Sequence, residues 1–222
     1  QMGEQPERVF VVGALGIENV KKEKLLSEAE IKRFLGIPFK REYVIVTFHP
    51  ETIINEDITH QVEGLVSFIT KHEEMDFVIT RANADQGGKQ LNLIWEKLAE
   101  KEEHIHLFSS LGMKRYLSAV KYARFVMGNS SSGIIEAPAL GCRVLDIGDR
   151  QKGRLCSARV IHTTTKLPSI EEGYRQICEN HIPQDDQPYG DGATSDRIVT
   201  QIKNILWSDW QTTEKNFYDI DF

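Results

Sequence analysis

Residues 127–141 read MGNSSSGIIEAPALG. Before them, Arg124 to Met127 is a short apolar run with a β-branched residue, which reads as a buried strand ending at Gly128. After them, Ile134, Ile135, Ala137 and Leu140 are spaced for a helix, and Gly141 stops it. Between strand and helix lie Asn129, Ser130, Ser131, Ser132 and Gly133. Asn and Ser are good helix N-caps, and small residues let a ligand approach the backbone. A strand that turns tightly into a helix presents unpaired N–H groups and the positive end of a helix dipole, which is a site for an anion such as phosphate. Glu136 lies four residues after Ser132, about one turn or roughly 6 Å up the same face. A carboxylate repels phosphate, but one turn away it is placed to accept two hydrogen bonds from a ribose diol. The spacing therefore fits a nucleoside diphosphate. A capped helix with a surface glutamate is the alternative reading of the same residues. Pro138 removes one helix hydrogen bond, so the helix is expected to be short and slightly kinked.

The other segments extend this strand–turn–helix into a pattern. Arg8 to Val12 (RVFVV) reads as a strand, Gly13 to Gly16 as a turn and Lys21 to Lys24 as a solvated charge cluster. Ser27 opens a capping box with Glu30, predicting a helix to Leu35 that Gly36 and Pro38 end. Tyr43 to Phe48 (YVIVTF) is a strongly β-prone run, too continuous to be half exposed, so a central parallel strand is expected, and it runs into His49-Pro50-Glu51-Thr52. Helical faces follow at 58–69, 91–98, 113–122 and 169–178, and strands at 77–80, 104–108, 143–147 and 160–163. Thr194 or Ser195 is expected to cap a last helix to about Leu206, after a polar loop from Pro183 to Gly192. Trp207, Trp210, Phe217, Tyr218, Ile220 and Phe222 make the tail too aromatic to stay in solvent, so it is expected to pack on something.

Alternating strands and helices mean an α/β fold, a Rossmann-like parallel sheet with helices on both faces. In such sheets ligands bind beyond the carboxyl ends of the strands. His49, Arg81 to Gly88, Ser109 to Gly112, Asn129 to Gly133 and Gly148 to Arg154 all fall there. There is neither a G-x-G-x-x-G fingerprint nor a Walker A sequence, nor the G-x-S-x-G elbow of a serine hydrolase.

Composition narrows the function. A length of 222 residues with 40% hydrophobic content supports one large domain or two small ones. A net charge of −6 argues against a general nucleic-acid role. No run reads as a membrane span and no signal peptide is recognised. Cys142, Cys156 and Cys178 are odd in number and lack metal spacing, so reduced, buried thiols in a cytoplasmic protein are expected. The first residues, Gln1 to Pro6, do not look like a natural start, and the chain is expected to be a piece of something longer.

Among individual residues, His49 directly follows the central strand, where a histidine can donate to a phosphate. The competing reading is a loop histidine satisfied by its neighbours. Arg150 and Arg154 flank a glycine-containing loop at a strand end, and arginine forks suit phosphate, although a solvated loop explains them too. His104 and His106 share a strand face, but no carboxylate stands at a diagnostic spacing, so no metal is expected. His60, His72, His162 and His181 read as surface or helix residues.

Several stretches together resemble one family, the hydrolysing UDP-N-acetylglucosamine 2-epimerases. They are 9–19 (VFVVGALGIEN), 46–52 (VTFHPET), 83–88 (NADQGG), 128–138 (GNSSSGIIEAP) and 148–154 (GDRQKGR), in the family's order and over most of the chain. The histidine motif reads His-Pro, as in the hydrolysing group. The resemblance implies the C-terminal, nucleotide-binding half of a two-domain glycosyltransferase-B-like fold over residues 1–222, with the tail from about 207 packed on an absent N-terminal domain. That domain supplies the acidic residues for proton transfer in the family, so this piece is expected to be inactive alone. By the same resemblance Ser130 and Ser131 hold a diphosphate, with Asn129, Ser132, Gly133 and Arg154 beside it, and Glu136 holds the ribose hydroxyls. His49 and Arg150 stabilise the departing UDP, Leu111 meets uracil through its backbone, and Tyr116 lies near the nucleoside. The implied reaction takes UDP-N-acetylglucosamine and water to N-acetylmannosamine and UDP, by elimination of UDP to a glycal and then hydration. No cofactor is implied. The expected partners are the UDP-sugar and the missing domain, with a homo-oligomer in the full-length form. The alternative is the C-terminal sugar-nucleotide-binding domain of a glycosyltransferase.

Overall fold

A computed structural model describes residues 3–51, 56–83, 87–179, 187–207 and 218. The chain divides into two compact units: residues 23–188, and a smaller unit built from residues 1–22 and 189–222. In chain order the elements are α1 (Leu15–Lys22), α2 (Glu28–Leu35), β1 (Tyr43–Thr47), α3 (Ile58–Lys71), β2 (Asp76–Thr80), α4 (Gly88–Ala99), β3 (Ile105–Phe108), α5 (Gly112–Tyr122), β4 (Phe125–Gly128), α6 (Ser131–Ala139), β5 (Val144–Ile147), β6 (Val160–Thr163), α7 (Leu167–Glu179) and α8 (Thr194–Leu206). No helix among the described residues is long and apolar enough to cross a membrane.

The larger unit is a six-stranded, wholly parallel sheet in the order β3-β2-β1-β4-β5-β6. β1, β2, β4 and β5 are buried along their whole length, because helices cover both faces. Alternate strand residues divide between the faces. Val44, Val46, Phe77, Ile79, Phe125, Met127, Leu145 and Ile147 share one core with Val62, Leu65 and Phe68 of α3, Leu91 and Trp95 of α4, and Ile170 and Ile177 of α7. On the other face Tyr43 donates its hydroxyl to the Ala119 carbonyl of α5 at 2.7 Å, and Gly133 of α6 lies against Val144. The expected capping box is present: the Ser27 hydroxyl accepts from the Glu30 N–H, and the Glu30 carboxylate accepts from the Ser27 N–H. Gly36 ends that helix in the left-handed conformation, at φ +74°.

The chain lays down β1, β2 and β3 in one direction, then crosses back to place β4 on the other side of β1. At that reversal the loops leaving β1 and β4 diverge and open a crevice. The two strands pair with Thr47 opposite Gly128. A Cβ on Gly128 would stand 2.0 Å from the Thr47 carbonyl oxygen, and its φ is +129°.

In the smaller unit the expected strand over Arg8 to Val12 does not form. A 3-10 turn, Pro6–Arg8, comes first, and residues 9–14 have no regular structure. Val9 and Val11 are 58% and 96% exposed: a β-prone run finds no ladder to join among the described residues. The expected turn at Gly13 to Gly16 gives way to α1 from Leu15, and Lys22 of the expected charge cluster is paired with Glu18 one turn back. The Glu18 carboxylate also accepts from the Ser195 N–H and hydroxyl at the start of α8; Lys22 first, and then these two donors, pull its pKa down to about 2. Neither Thr194 nor Ser195 is the cap of α8. Ala193 holds that position and supplies no side-chain bond, while the Thr194 hydroxyl donates to the Ala14 carbonyl. Trp207 is 82% exposed; most of the aromatic tail, and residues 183–186 of the expected polar loop, lie outside the described residues. Of the three free cysteines only Cys142 is buried. Cys156 is half-buried and Cys178 exposed, because each sits on a loop or helix face turned from the core.

Gly128→Ala should test the close approach of the two central strands. The methyl cannot be accommodated without moving the Thr47 carbonyl, so we expect a loss of more than ~2 kcal/mol in urea unfolding. A change under about 0.5 kcal/mol would mean that the strands separate without cost.

Candidate functional site

The crevice at the reversal is organised by one side chain. Asn129 follows β4, is fully buried, and its N–H donates to the Thr47 carbonyl at 3.1 Å. Its Oδ1 accepts the His49 N–H at 2.7 Å and its Nδ2 donates to the His49 carbonyl at 2.8 Å. The amide thus takes both backbone groups of the residue that leaves β1, as a further strand residue would. Its own carbonyl accepts twice more, from Arg150 Nη1 at 3.1 Å and Gln151 Nε2 at 2.7 Å. Loops after β1, β4 and β5 therefore meet on one residue. Both ends of the Asn129 amide are engaged, so it acts here as a tie between loops.

Glu51 makes a second tie. Its N–H donates to Gln61 Oε1 of α3 at 2.9 Å, and its carboxylate accepts the Asp149 N–H at 3.0 Å. Gln61 is 3% exposed and also donates to the Glu56 carbonyl at 2.9 Å.

Ser130 is the N-cap of α6, with extended backbone and its hydroxyl accepting the Ser132 N–H at 3.4 Å. Ser131 starts the helix half-buried, and the Gly133 N–H closes the first turn on the Ser130 carbonyl at 3.0 Å. The helix is short, nine residues, and holds Pro138 near its end. The Ser132 hydroxyl donates to Tyr116 Oη of α5 at 2.8 Å. Burial pushes the Tyr116 phenol up to about 12, with the Ser132 bond opposing it. Glu136 lies half-buried one turn on; burial raises its pKa, and its own backbone N–H and the Ser132 hydroxyl pull it back. Leu111 is buried at the start of α5, where its backbone fronts the end of β3 and Gly112 turns with φ +66°.

Arg150 is exposed, and one of the five guanidinium N–H donors is used among the described residues. Arg154 is exposed on the same loop, and its guanidinium makes no hydrogen bond among the described residues. His104 donates from Nε2 to the Ile69 carbonyl and His106 pairs with Asp76, at the opposite end of the sheet. No group of three or more metal-ligating side chains is present among the described residues. His162, expected as a surface residue, is half exposed and paired through Nδ1 with the buried Asp146 at 2.8 Å. Thr52 and residues 84–86 of the quoted motifs lie outside the described residues.

Sequence reasoning gave no role to Gln61, Glu51 or Gln151. Gln61 had a signal: it occupies an apolar-phase position of α3, between Ile58 and Leu65, where only a satisfied amide is tolerated. Gln151 had none, since it stands among exposed charged residues.

Chemically, the strand ends bring together an N-terminal helix end, serine hydroxyls, a guanidinium and a histidine. That is a donor-rich cradle for an anion, with one carboxylate a turn away.

Glu136 gives a pH test of this arrangement. Its pKa in the folded chain lies above its ordinary 4.5, so folding favours the protonated form. Stability from this group is fully present below the unfolded pKa and is lost as pH rises through the folded one. Glu136→Gln removes that loss. The variant should therefore gain stability relative to the parent between about pH 4 and 7, read as the difference in thermal unfolding midpoints. A difference that does not change with pH would show that the carboxylate is not penalised by its surroundings.

A family model described as UDP-N-acetylglucosamine 2-epimerase matches residues 1–203. The polysialic acid biosynthesis protein P7 of Escherichia coli is 34% identical over 227 aligned positions, which cover 99% of this chain and 57% of that protein. The GDP/UDP-N,N'-diacetylbacillosamine 2-epimerase (hydrolyzing) of Campylobacter jejuni is 30% identical over 185 residues, covering 83% and 48%. Among solved structures, the UDP-GlcNAc 2-epimerase of Neisseria meningitidis bound to UDP-GlcNAc shares the fold with a TM-score of 0.72 at 17% identity, over 90% of this chain and 57% of that one. The chain spans about half the length of the curated relatives it matches.

Proposed function

The chain belongs to the UDP-N-acetylglucosamine 2-epimerase family, and from that premise we propose that it is the UDP-binding half of a hydrolysing 2-epimerase. The observation that carries this reading is the convergence on Asn129. One buried residue ties three loops at the strand-order reversal: its side chain holds the His49 backbone, its own carbonyl receives Arg150, and the α6 cap follows it directly.

The diphosphate sits at the start of α6. Ser130 and Ser131 and the first N–H groups of the helix donate to it, and the helix dipole favours its charge. Arg150 offers its unused donors from the β5 loop, in a fork that matches phosphate oxygens. Glu136, a turn up, accepts from the ribose diol; those two bonds compensate the carboxylate for its partial burial. The Leu111 backbone and Tyr116 lie on the nucleoside side.

In the complete protein the reaction is elimination followed by hydration. The sugar C1–O bond breaks, the C2 proton passes to a base in the missing domain, and a glycal and UDP result. Water then adds across the double bond to give N-acetylmannosamine. Negative charge grows on the leaving phosphate as the bond breaks. His49 and Arg150 are held by backbone contacts before that happens, so they stabilise the transition state without reorganising. The relatives' printed names, a hydrolyzing 2-epimerase of a diacetylated amino sugar and a polysialic acid biosynthesis protein, support an amino-sugar nucleotide as substrate.

Calorimetric titration of the 222-residue chain tests the binding half of the reading. UDP should bind at least ~10-fold tighter than UMP, because the second phosphate adds charge-assisted hydrogen bonds at the cap. Equal affinity would remove the diphosphate from the crevice. The catalytic half needs the complete protein. There His49→Ala should lower kcat on the order of 10²–10³-fold, comparable to losing one preorganised donor, with a much smaller change in UDP-sugar affinity. A kcat within about threefold of the parent would take His49 out of leaving-group stabilisation and leave that role to Arg150. Release of N-acetylmannosamine without any acceptor sugar separates an epimerase from a glycosyltransferase.

A further inference from the structure

Gln151 is 2% exposed in a loop whose neighbours, Asp149, Arg150, Lys152, Gly153 and Arg154, are all exposed. Packing alone would be served by an apolar side chain of the same length. The amide instead makes one hydrogen bond, from Nε2 to the Asn129 carbonyl at 2.7 Å. Its Oε1 is buried and accepts from no described residue. A buried acceptor without a donor costs at least as much as the other bond returns. The glutamine is therefore a poor choice for stability. Turning the amide over would not help, because Oε1 would then face the carbonyl oxygen of Asn129. What the residue supplies is the N–H in that one direction.

The N–H ends on the same oxygen that Arg150 Nη1 reaches from the preceding residue, at 3.1 Å. A carbonyl oxygen has two lone pairs, and these two donors fill them. Gln151 is enclosed and short of freedom, whereas Arg150 is exposed and long. The buried partner fixes where the loop crosses the Asn129 carbonyl, and the exposed one is then held by a single N–H with its remaining donors uncommitted. An arginine pinned this way loses less rotamer entropy when it meets a ligand, which appears as affinity.

From this geometry we infer that Gln151 is a positioning residue, which orients Arg150 toward the bound diphosphate through the Asn129 carbonyl that the two share. The inference rests on the reading above that the crevice binds UDP and that Arg150 meets its phosphates. It assigns to the amide of Gln151 a cost in stability and a return in binding, and the two can be measured apart.

The test is UDP titration and thermal unfolding of the parent chain, Gln151→Met, Arg150→Ala and the double variant. Gln151→Met removes both the orphan acceptor and the aligned donor while keeping the length. Its unfolding midpoint should equal or exceed the parent's, while UDP affinity should fall about 5- to 20-fold, the range for losing one hydrogen bond's worth of preorganisation. On the Arg150→Ala background the same substitution should change affinity by less than about twofold, since residues that act through one another are not additive. Parent-like UDP binding by Gln151→Met overturns the inference. So does an equal loss with and without Arg150, and so does a lowered midpoint with binding intact, which would make Gln151 a structural filler. Should Gln151→Met fail to fold, Gln151→Leu keeps most of the bulk and has no donor for the Asn129 carbonyl at any pH; UDP binding equal to the parent's would overturn the inference in its turn. Failure of the underlying reading looks different. It shows in chains that still carry Gln151, as a parent that does not bind UDP or an Arg150→Ala variant that binds it normally, and either result removes the inference together with that reading.

Discussion

The Asn129 side chain is the constraint on which the rest of the crevice depends. Parallel β1 and β4 are held by their ladder only as far as Thr47 and Gly128. Beyond that point the order of the sheet reverses and the two loops must part. An amide is the one short side chain with a donor and an acceptor fixed in a plane, and here each meets the matching backbone group of His49. The ladder is thereby continued for one more residue without a strand. Aspartate has no donor for the His49 carbonyl, and leucine has neither group. Because Asn129 is fully buried, these bonds do not compete with bulk water, and His49 leaves the sheet in a defined direction.

Around that tie the local choices work against stability. Gly128 gives up a side chain in a central strand so that two backbones can touch. Glu136 keeps a carboxylate where burial penalises its charge. Gln151 carries a buried acceptor with no donor among the described residues. Elsewhere in the same unit Ser27 and Glu30 satisfy each other, and the apolar positions of α3 and α7 fill the space under the sheet, although the buried Trp95 indole N–H has no acceptor among the described residues. Three departures meeting within a few residues of one strand end are what the proposed site would require of a fold otherwise free to optimise.

Much of this was readable from local pattern because it rests on local physics. The β-prone, largely apolar run at Tyr43 to Phe48 states that its strand is covered on both faces, and the Ser27 box announces its own helix start. The cap at Ser130 and the position of His49 follow from a strand end meeting a helix start, a matter of adjacent residues. What was not readable depends on residues far apart. The run at Arg8 to Val12 has the composition of a strand, but composition does not provide a partner, and Val11 stays exposed. α1 was hidden by two glycines, while its stabilising Glu18 is held by Ser195, 177 positions away. The link from Asn129 to His49 spans 80 residues, so the asparagine resembled a ligand contact rather than a tie. Gln151 was invisible for the same reason, its one bond reaching back 22 residues from a loop of charges.

The proposed division of labour in the complete enzyme follows from the charge balance of the crevice. Departure of a diphosphate requires donors, and the loops after β1, β4 and β5 bring together a helix N-terminus, serine hydroxyls, a guanidinium and a histidine. Removal of a proton from carbon requires the opposite, an unengaged base near the reacting sugar. Of the two carboxylates near the crevice, Glu51 is engaged by the Asp149 N–H, and Glu136 is the one this reading gives to the ribose diol. A free carboxylate added beside the diphosphate would repel it and weaken the donors that bind it. Separating the two tasks across a cleft between domains resolves the conflict, because base and donors then approach the substrate from opposite sides and meet only when both have closed on it. On this reading the tie at Asn129 serves the whole reaction, since it keeps the donor side already assembled when the second side arrives.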